Sequence, residues 1–250
     1  MMHVPEAPVS LALMLSPFLR RQPKIDFQSA YGVTPGRRGP AQGYEVCNRW
    51  FSSDIDWVPA GVLEHDRLLE MQRTIHGLQK INKAPFVNKW QRHSMRIGAL
   101  AEAFPDCIFV TLKRDPAHMA LSILKGRRRH LGDENEWLSA RPRACENIGD
   151  LSPIDQVCAQ VHYLGEEIEE AFRSFGTARV IDVRYEDLCV NPEGELSKIR
   201  SFYEKTSGRS LVDRGKVPET FIFGESDKDH DQELLEIRDQ LQRLRTCASK

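Results

Sequence analysis

The sequence predicts an α/β fold with a mostly parallel central sheet flanked by helices. Three observations carry this expectation. Ile108–Leu112 is a continuous β-favouring run, as in a strand covered on both faces, and Asp115-Pro116 directly after it supplies a helix cap and a first-turn proline. Val180–Val183 repeats the pattern ahead of a second cap, Asn191-Pro192. Between the two, Ser152-Pro153 opens a long amphipathic stretch, so strands alternate with helices.

Taken in order, residues 1–21 read as a short apolar helix broken near Pro17, ending in Arg20 and Arg21. Residues 32–43 (GVTPGRRGPAQG) hold four glycines and two prolines and read as an exposed loop. From Leu63 to Leu78 the apolar positions Leu68, Met71, Ile75 and Leu78 keep a helical period. Pro85–Asn88 reads as a short strand. Ile97, Leu100, Ala101 and Phe104 share one helix face, and Pro105 stops that helix. After the strand at 108–112, a helix is expected over about 117–129. The next carries Ile154, Val157, Val161, Leu164, Ile168, Phe172 and Phe175 on one stripe, with Asp155 close to a capping box and Gly176 as its stop. Leu196, Ile199 and Phe202 mark the helix after Asn191-Pro192, and Leu234, Ile237, Leu241 and Leu244 a last one. No repeat and no long linker divides the chain, so residues 1–250 read as a single domain.

Composition narrows the function classes. Apolar residues make up 40% of the 250 positions and charged residues 28%, which excludes collagen-like and wholly disordered readings. A formal net charge of −1 gives no global basic field, so nucleic acid is not an expected partner and any anion site must be local. The most apolar stretch, Val9–Leu15, is too short to span a bilayer. Glu6 stands where a signal peptide needs positive charge. Cysteines at 47, 107, 145, 158, 189 and 247 form no C-x-x-C pair and no dense framework; Cys107 and Cys189 lie in or beside strand-like segments, where buried thiols are common. A reduced, cytoplasmic protein is the expectation, with no His/Cys spacing that suggests a metal.

Ligands of open parallel sheets bind at the carboxyl ends of the strands. Two such ends carry chemistry here. At the first, Arg114 leaves a strand just as a helix N-terminus offers free N–H groups, and Ser122 follows on the stripe that also holds Asp115, His118 and Lys125. A planar guanidinium with a neutral hydroxyl donor suits a phosphate. An ordinary surface ion pair and a solvated serine would give the same spacing. At the second, Tyr185 leaves a strand ahead of Glu186-Asp187; it can stack on a base, with the acidic pair fixing the turn, or be a half-buried ring with a capping carboxylate. The Arg127-Arg128-Arg129 run reads as a solvated helix end that at most attracts a bisphosphate or an acidic acceptor.

IFVTLKRDPAHMALSILK, with serine eight positions after the arginine of RDP, resembles the 3′-phosphate-binding segment of PAPS-dependent sulfotransferases. VIDVRYEDLCVNPEGELSKIRSFY resembles their later strand–tyrosine–helix segment, and KAPFVNKWQRHSMRIGALAEAFPD the segment before the RDP strand. EWLSARPRACENIGDLSPIDQVCAQ is similar to a stretch of bacterial members, and the likeness runs over about residues 84–205 in family order. The resemblance implies a P-loop NTPase-like sulfotransferase fold and transfer of a sulfuryl group from PAPS to a hydroxyl or amine of a small-molecule, glycan or lipid acceptor, without a metal. It places Arg114 and Ser122 on the 3′-phosphate, Tyr185 near the adenine, and Lys89 near the sulfonate and bridging oxygen. Some members use Lys-x-His as the base; here the spacing is Lys89 to His93, so His93 is the looser candidate, and capping the helix at 94–104 is its other reading.

The family opens with a strand, a Gly/Ser-rich loop and a helix that hold the 5′-phosphosulfate. GVTPGRRGPAQG has the glycines without the flanking strand and helix that would aim its N–H groups. The expectation is therefore a domain lacking that first strand and P-loop, through a truncated gene model or a lost half-site. Arg214-Gly215-Lys216 is a loose echo of the family's basic-glycine motif. The competing reading is a non-catalytic nucleotide-binding or interaction remnant of the fold. A P-loop nucleotide kinase is disfavoured, since G-x-x-x-x-G-K-[ST] is missing.

Overall fold

A computed structural model describes residues 47–51, 56–212, 215–221 and 231–248. The expected N-terminal helix, the glycine-rich 32–43 segment and Arg214 lie outside those residues. The chain groups into two compact units, Met1–Ala103 and Phe104–Lys250.

In the first unit, α1 spans His65–Asn82 and α2 spans Ile97–Ala103, joined through a 3-10 turn at Gln91–Met95. Met71 and Ile75 of α1 are buried, as are Ile97, Ala99, Ala101 and Ala103 of α2. The Gln72 amide donates to the Ala103 carbonyl at 2.7 Å, so α1 satisfies an end of α2. Gly98 permits a close backbone approach: a Cβ there would lie 2.6 Å from the Ala60 nitrogen. The expected strand at Pro85–Asn88 does not form, and the segment is irregular. Proline brings no N–H to a ladder, and the chain there has no strand beside it among the described residues.

The second unit is the α/β part. β1 spans Phe109–Lys113 and β2 spans Val180–Arg184, paired parallel with Phe109 opposite Val180 and Lys113 opposite Arg184. A parallel pair needs a long crossover. Here it is made of α3 (Pro116–Gly126) and α4 (Pro153–Phe175) with the loop between them. Each crossover helix starts on the cap its sequence offers. Asp115 accepts from the Ala117 and His118 N–H groups, both at 3.0 Å. Ser152 Oγ accepts from the Asp155 N–H at 3.1 Å and donates to its carboxylate at 2.7 Å. Gly176 ends α4 at φ 81°, a conformation that favours glycine. After β2 come α5 (Tyr185–Val190), α6 (Pro192–Ser207) and α7 (Asp231–Ala248).

The core of this unit lies between three helices: Ala120, Leu121 and Leu124 of α3, Val157, Cys158 and Val161 of α4, and Leu234, Ile237 and Leu241 of α7. Phe109 carries the apolar packing to the sheet, its ring 5.5 Å from that of Phe172. The sequence expected the Arg127–Arg129 run to be a solvated helix end. Instead α3 passes into a π-turn at Arg127–Leu131 and Arg127 is fully buried. Its guanidinium donates to the Glu134 carbonyl (2.9 Å) and to the amide oxygens of Gln156 (2.8 Å) and Gln160 (3.3 Å), and lies over the Trp137 ring. Gln160 also donates to the Leu138 and Ala140 carbonyls, so the irregular stretch before α4 is tied to the helix behind it. Arg128 pairs with Glu134 and Glu233. Cys47, Cys107, Cys145, Cys158 and Cys189 are free thiols. Cys189 is buried on α5, while Cys107 is half-buried just before β1. No described helix is long and apolar enough to cross a membrane.

Candidate functional site

β1 ends at Lys113 and β2 at Arg184, and these two residues are paired in register. The next residue on each chain segment therefore leaves the same end of the sheet. Those residues are Arg114 and Tyr185, and they meet: the Arg114 guanidinium lies over the Tyr185 ring, 4.8 Å from its centroid. Arg114 is half-buried, and its Nε is buried with no hydrogen-bond partner among the described residues. Glu186 reaches back across the strand ends, its carboxylate accepting from the Asp115 N–H at 3.4 Å. The acidic pair, expected to fix a turn, instead lies in the first turn of α5, of which Tyr185 is the first residue. Burial, and then its hydrogen bond with Cys189, raise the tyrosine pKa, against the pull of Arg114.

Lys113 is not available in the same way. Its ammonium pairs with Asp182 at 2.6 Å, and Thr111 donates to the same carboxylate. This pairing lowers the Asp182 pKa. Ser122 is half-buried on α3, two turns from the helix start and on the side that holds Asp115, His118 and Lys125. The combination of a guanidinium with an unsatisfied buried N–H, a flat ring against it and a helix start beside it is suited to a planar, anionic ligand.

Lys89 and His93 belong to the first unit. Lys89 reaches solvent, yet partial enclosure lowers its ammonium pKa. His93 lies in the 3-10 turn before α2, which begins only at Ile97. The expected cap at 94 is therefore not what its ring does; its carbonyl accepts from the Arg96 N–H at 3.0 Å. The ring is 3.7 Å from Cys47 Sγ through Nε2 and edge-on to Trp90, centroids 5.3 Å apart. Burial, with Arg96 adding repulsion, lowers its pKa to about 4. Burial also pushes the Cys47 thiol up to about 11, so the pair is an imidazole and a thiol, both neutral, at pH 7.

Sequence reasoning passed over Arg96. It is fully buried, its guanidinium 4.5 Å from the ring centroids of both Phe51 and Trp90. The available signal was an arginine beside the apolar face of α2, with Trp90 six positions before it.

A family model described as the Sulfotransferase family matches residues 48–205, more than half of the chain. No curated protein and no solved structure matches it. The matched span contains both strands, the arginine and tyrosine that leave them, and the lysine segment ahead of β1. The chain belongs to the sulfotransferase family.

Proposed function

We propose that this chain moves a sulfuryl group from PAPS to an acceptor hydroxyl or amine, with Arg114 and Ser122 on the 3′-phosphate and Tyr185 beside the adenine. The observation that carries the reading is the Arg114–Tyr185 contact at the sheet's carboxyl end, with a buried arginine N–H that has no hydrogen-bond partner among the described residues. A phosphate oxygen would satisfy that N–H, and a purine would extend the ring–guanidinium stack. Family membership supports sulfuryl transfer in general. The donor, the residue roles and a cytoplasmic setting are our reading.

In the reaction, the acceptor oxygen or nitrogen bonds to sulfur while the bond from sulfur to the bridging phosphate oxygen breaks. The bisphosphate leaves with that electron pair, and the acceptor's proton passes to a base. Positive donors close to the leaving oxygen lower the barrier most when they are held in place beforehand. Lys89 is given that role here. His93 is the lesser candidate for the base, because its enclosed ring has a pKa of about 4 and a weak hold on a proton at neutral pH.

Two measurements test the reading. Transfer from labelled PAPS is followed over a panel of phenol, sugar and lipid alcohols, and calorimetry follows adenosine 3′,5′-bisphosphate. Arg114→Ala is expected to weaken bisphosphate binding by about 1.5–3 kcal/mol, the range for a hydrogen bond to a charged group. Equal affinity in wild type and variant would remove Arg114 from the site. Bisphosphate binding without transfer to any acceptor would favour the remnant reading.

A further inference from the structure

The segment that bears Lys89 is irregular, so something other than a helix or sheet must hold the lysine in place. The residue after it, Trp90, is held from several sides. Its carbonyl accepts from the His93 N–H at 2.9 Å, which starts the 3-10 turn. Its backbone is extended, φ −139° and ψ 128°. Arg96 lies over its ring at 4.5 Å, Arg92 is 5.9 Å from the same ring, and the His93 ring meets it edge-on. Arg96 in turn contacts Phe51 at 4.5 Å, and Arg92 is anchored to Asp56 at 3.0 Å.

Arg96 is an expensive choice for this place. A fully buried guanidinium loses its hydration, and an aliphatic chain of similar volume would cost less to bury. What the guanidinium adds is a flat cation that attracts two aromatic rings at once and fixes their positions relative to each other. One of those rings belongs to the residue bonded to Lys89.

We propose that Arg96 is a positioning residue for Lys89, acting through Trp90: the Phe51–Arg96–Trp90 contact sets where the lysine ammonium stands. The proposal rests on the reading of Lys89 given above for its catalytic meaning, while the physical coupling is independent of it. A catalytic lysine displaced by an ångström loses much of its effect, so the arginine acts on the chemical step without touching substrate.

The test uses the full chain with its lysines reductively methylated with carbon-13, and Lys89→Ala identifies the Lys89 signal. In the wild type that signal should titrate below ordinary lysines, because its ammonium is partly enclosed. Arg96→Met and, separately, Trp90→Leu should move its shift and return its titration toward the ordinary range. Arg96→Lys, which keeps a cation but not the flat fork, should fall between. In parallel, Arg96→Met should lower kcat for transfer at least tenfold and leave bisphosphate affinity within twofold. An unmoved Lys89 signal in both folded Arg96→Met and folded Trp90→Leu overturns the proposal, as does an unchanged kcat in a folded Arg96 variant of an enzyme that needs Lys89. Full transfer by Lys89→Ala would instead sink the catalytic reading of the lysine and leave the coupling to be judged by the spectra.

Discussion

Arg114 and Tyr185 are 71 positions apart in sequence, yet the guanidinium of one lies 4.8 Å from the ring centroid of the other. The parallel register explains the meeting, because it ends both strands at the same level. The tyrosine ring lies against the arginine, whose Nε keeps no hydrogen-bond partner among the described residues. In the proposed reading the ring is thus part of the anion site even though it carries no charge.

Removing the ring should therefore weaken bisphosphate binding. Tyr185→Leu is expected to raise the calorimetric Kd by about 3–10-fold, the scale of a half-buried cation–ring contact. Tyr185→Phe keeps the ring and should stay within about twofold. Equal losses in the two variants would point to the hydroxyl, and so to its link with Cys189, as the operative group.

Arg127 gives a stability prediction far from that site. Arg127→Met leaves the amide oxygens of Gln156 and Gln160 buried without their donor, at a cost of about 2–3 kcal/mol. Arg129→Met, on the exposed side of the same turn, should change stability by no more than about 0.5 kcal/mol. Urea unfolding of both variants checks this, and proteolysis should open the 133–146 stretch in Arg127→Met first.

Glycines at two helical positions should respond in opposite directions to alanine. Gly98→Ala would place a Cβ 2.6 Å from the Ala60 nitrogen, and a backbone clash of that kind costs about 1–3 kcal/mol. Gly77 on α1 has nothing within 4 Å of a Cβ, so Gly77→Ala should stabilise by about 0.5–1 kcal/mol through helix propensity. Thermal unfolding of the two variants reads the signs.

His93 makes stability depend on pH. Its folded pKa, about 4, lies below the ordinary 6.5, so the unfolded chain binds the proton more tightly between those values. Stability from this residue is complete above about pH 6.5 and is lost as pH falls toward 4, by roughly 3 kcal/mol in all. Urea midpoints of wild type and His93→Gln should converge as the pH is lowered from 7 to 4. Parallel curves would mean that the ring takes up its proton in the folded state as easily as in the unfolded one.

Much of this architecture was legible because its signals are local. Asp115-Pro116, Ser152-Pro153 and Asn191-Pro192 each start the helix that their cap chemistry implies. The apolar stripe from Ile154 to Phe175 gave α4 nearly residue for residue. Pro85–Asn88 failed because a strand needs a neighbour, and composition alone does not provide one. The burial of Arg127 was hidden for a related reason: its two side-chain acceptors are 29 and 33 positions away, on a helix face where glutamines interrupt an apolar stripe. Arg114 and Tyr185 could be chosen from the two strand ends, but their contact depends on a register that no local pattern encodes. Arg96 was missed because the rule that charged side chains stay outside is broken there by two aromatic rings.

The parallel pairing also governs how the second unit comes into being. Phe109 meets Val180 only after a loop of about 70 residues has closed, an entropic cost of about 4 kcal/mol before any ladder hydrogen bond forms. The sheet is thus a late event, and the α3–α4 contact, made of residues much nearer in sequence, is the natural nucleus. The carboxyl end of the sheet, where Arg114 finds Tyr185, is then among the last places to be assembled and among the first to be lost on partial unfolding. Hydrogen exchange should show the α3–α4 core outlasting the β1–β2 amides, so that bisphosphate binding fails while most of the helix signal is still present.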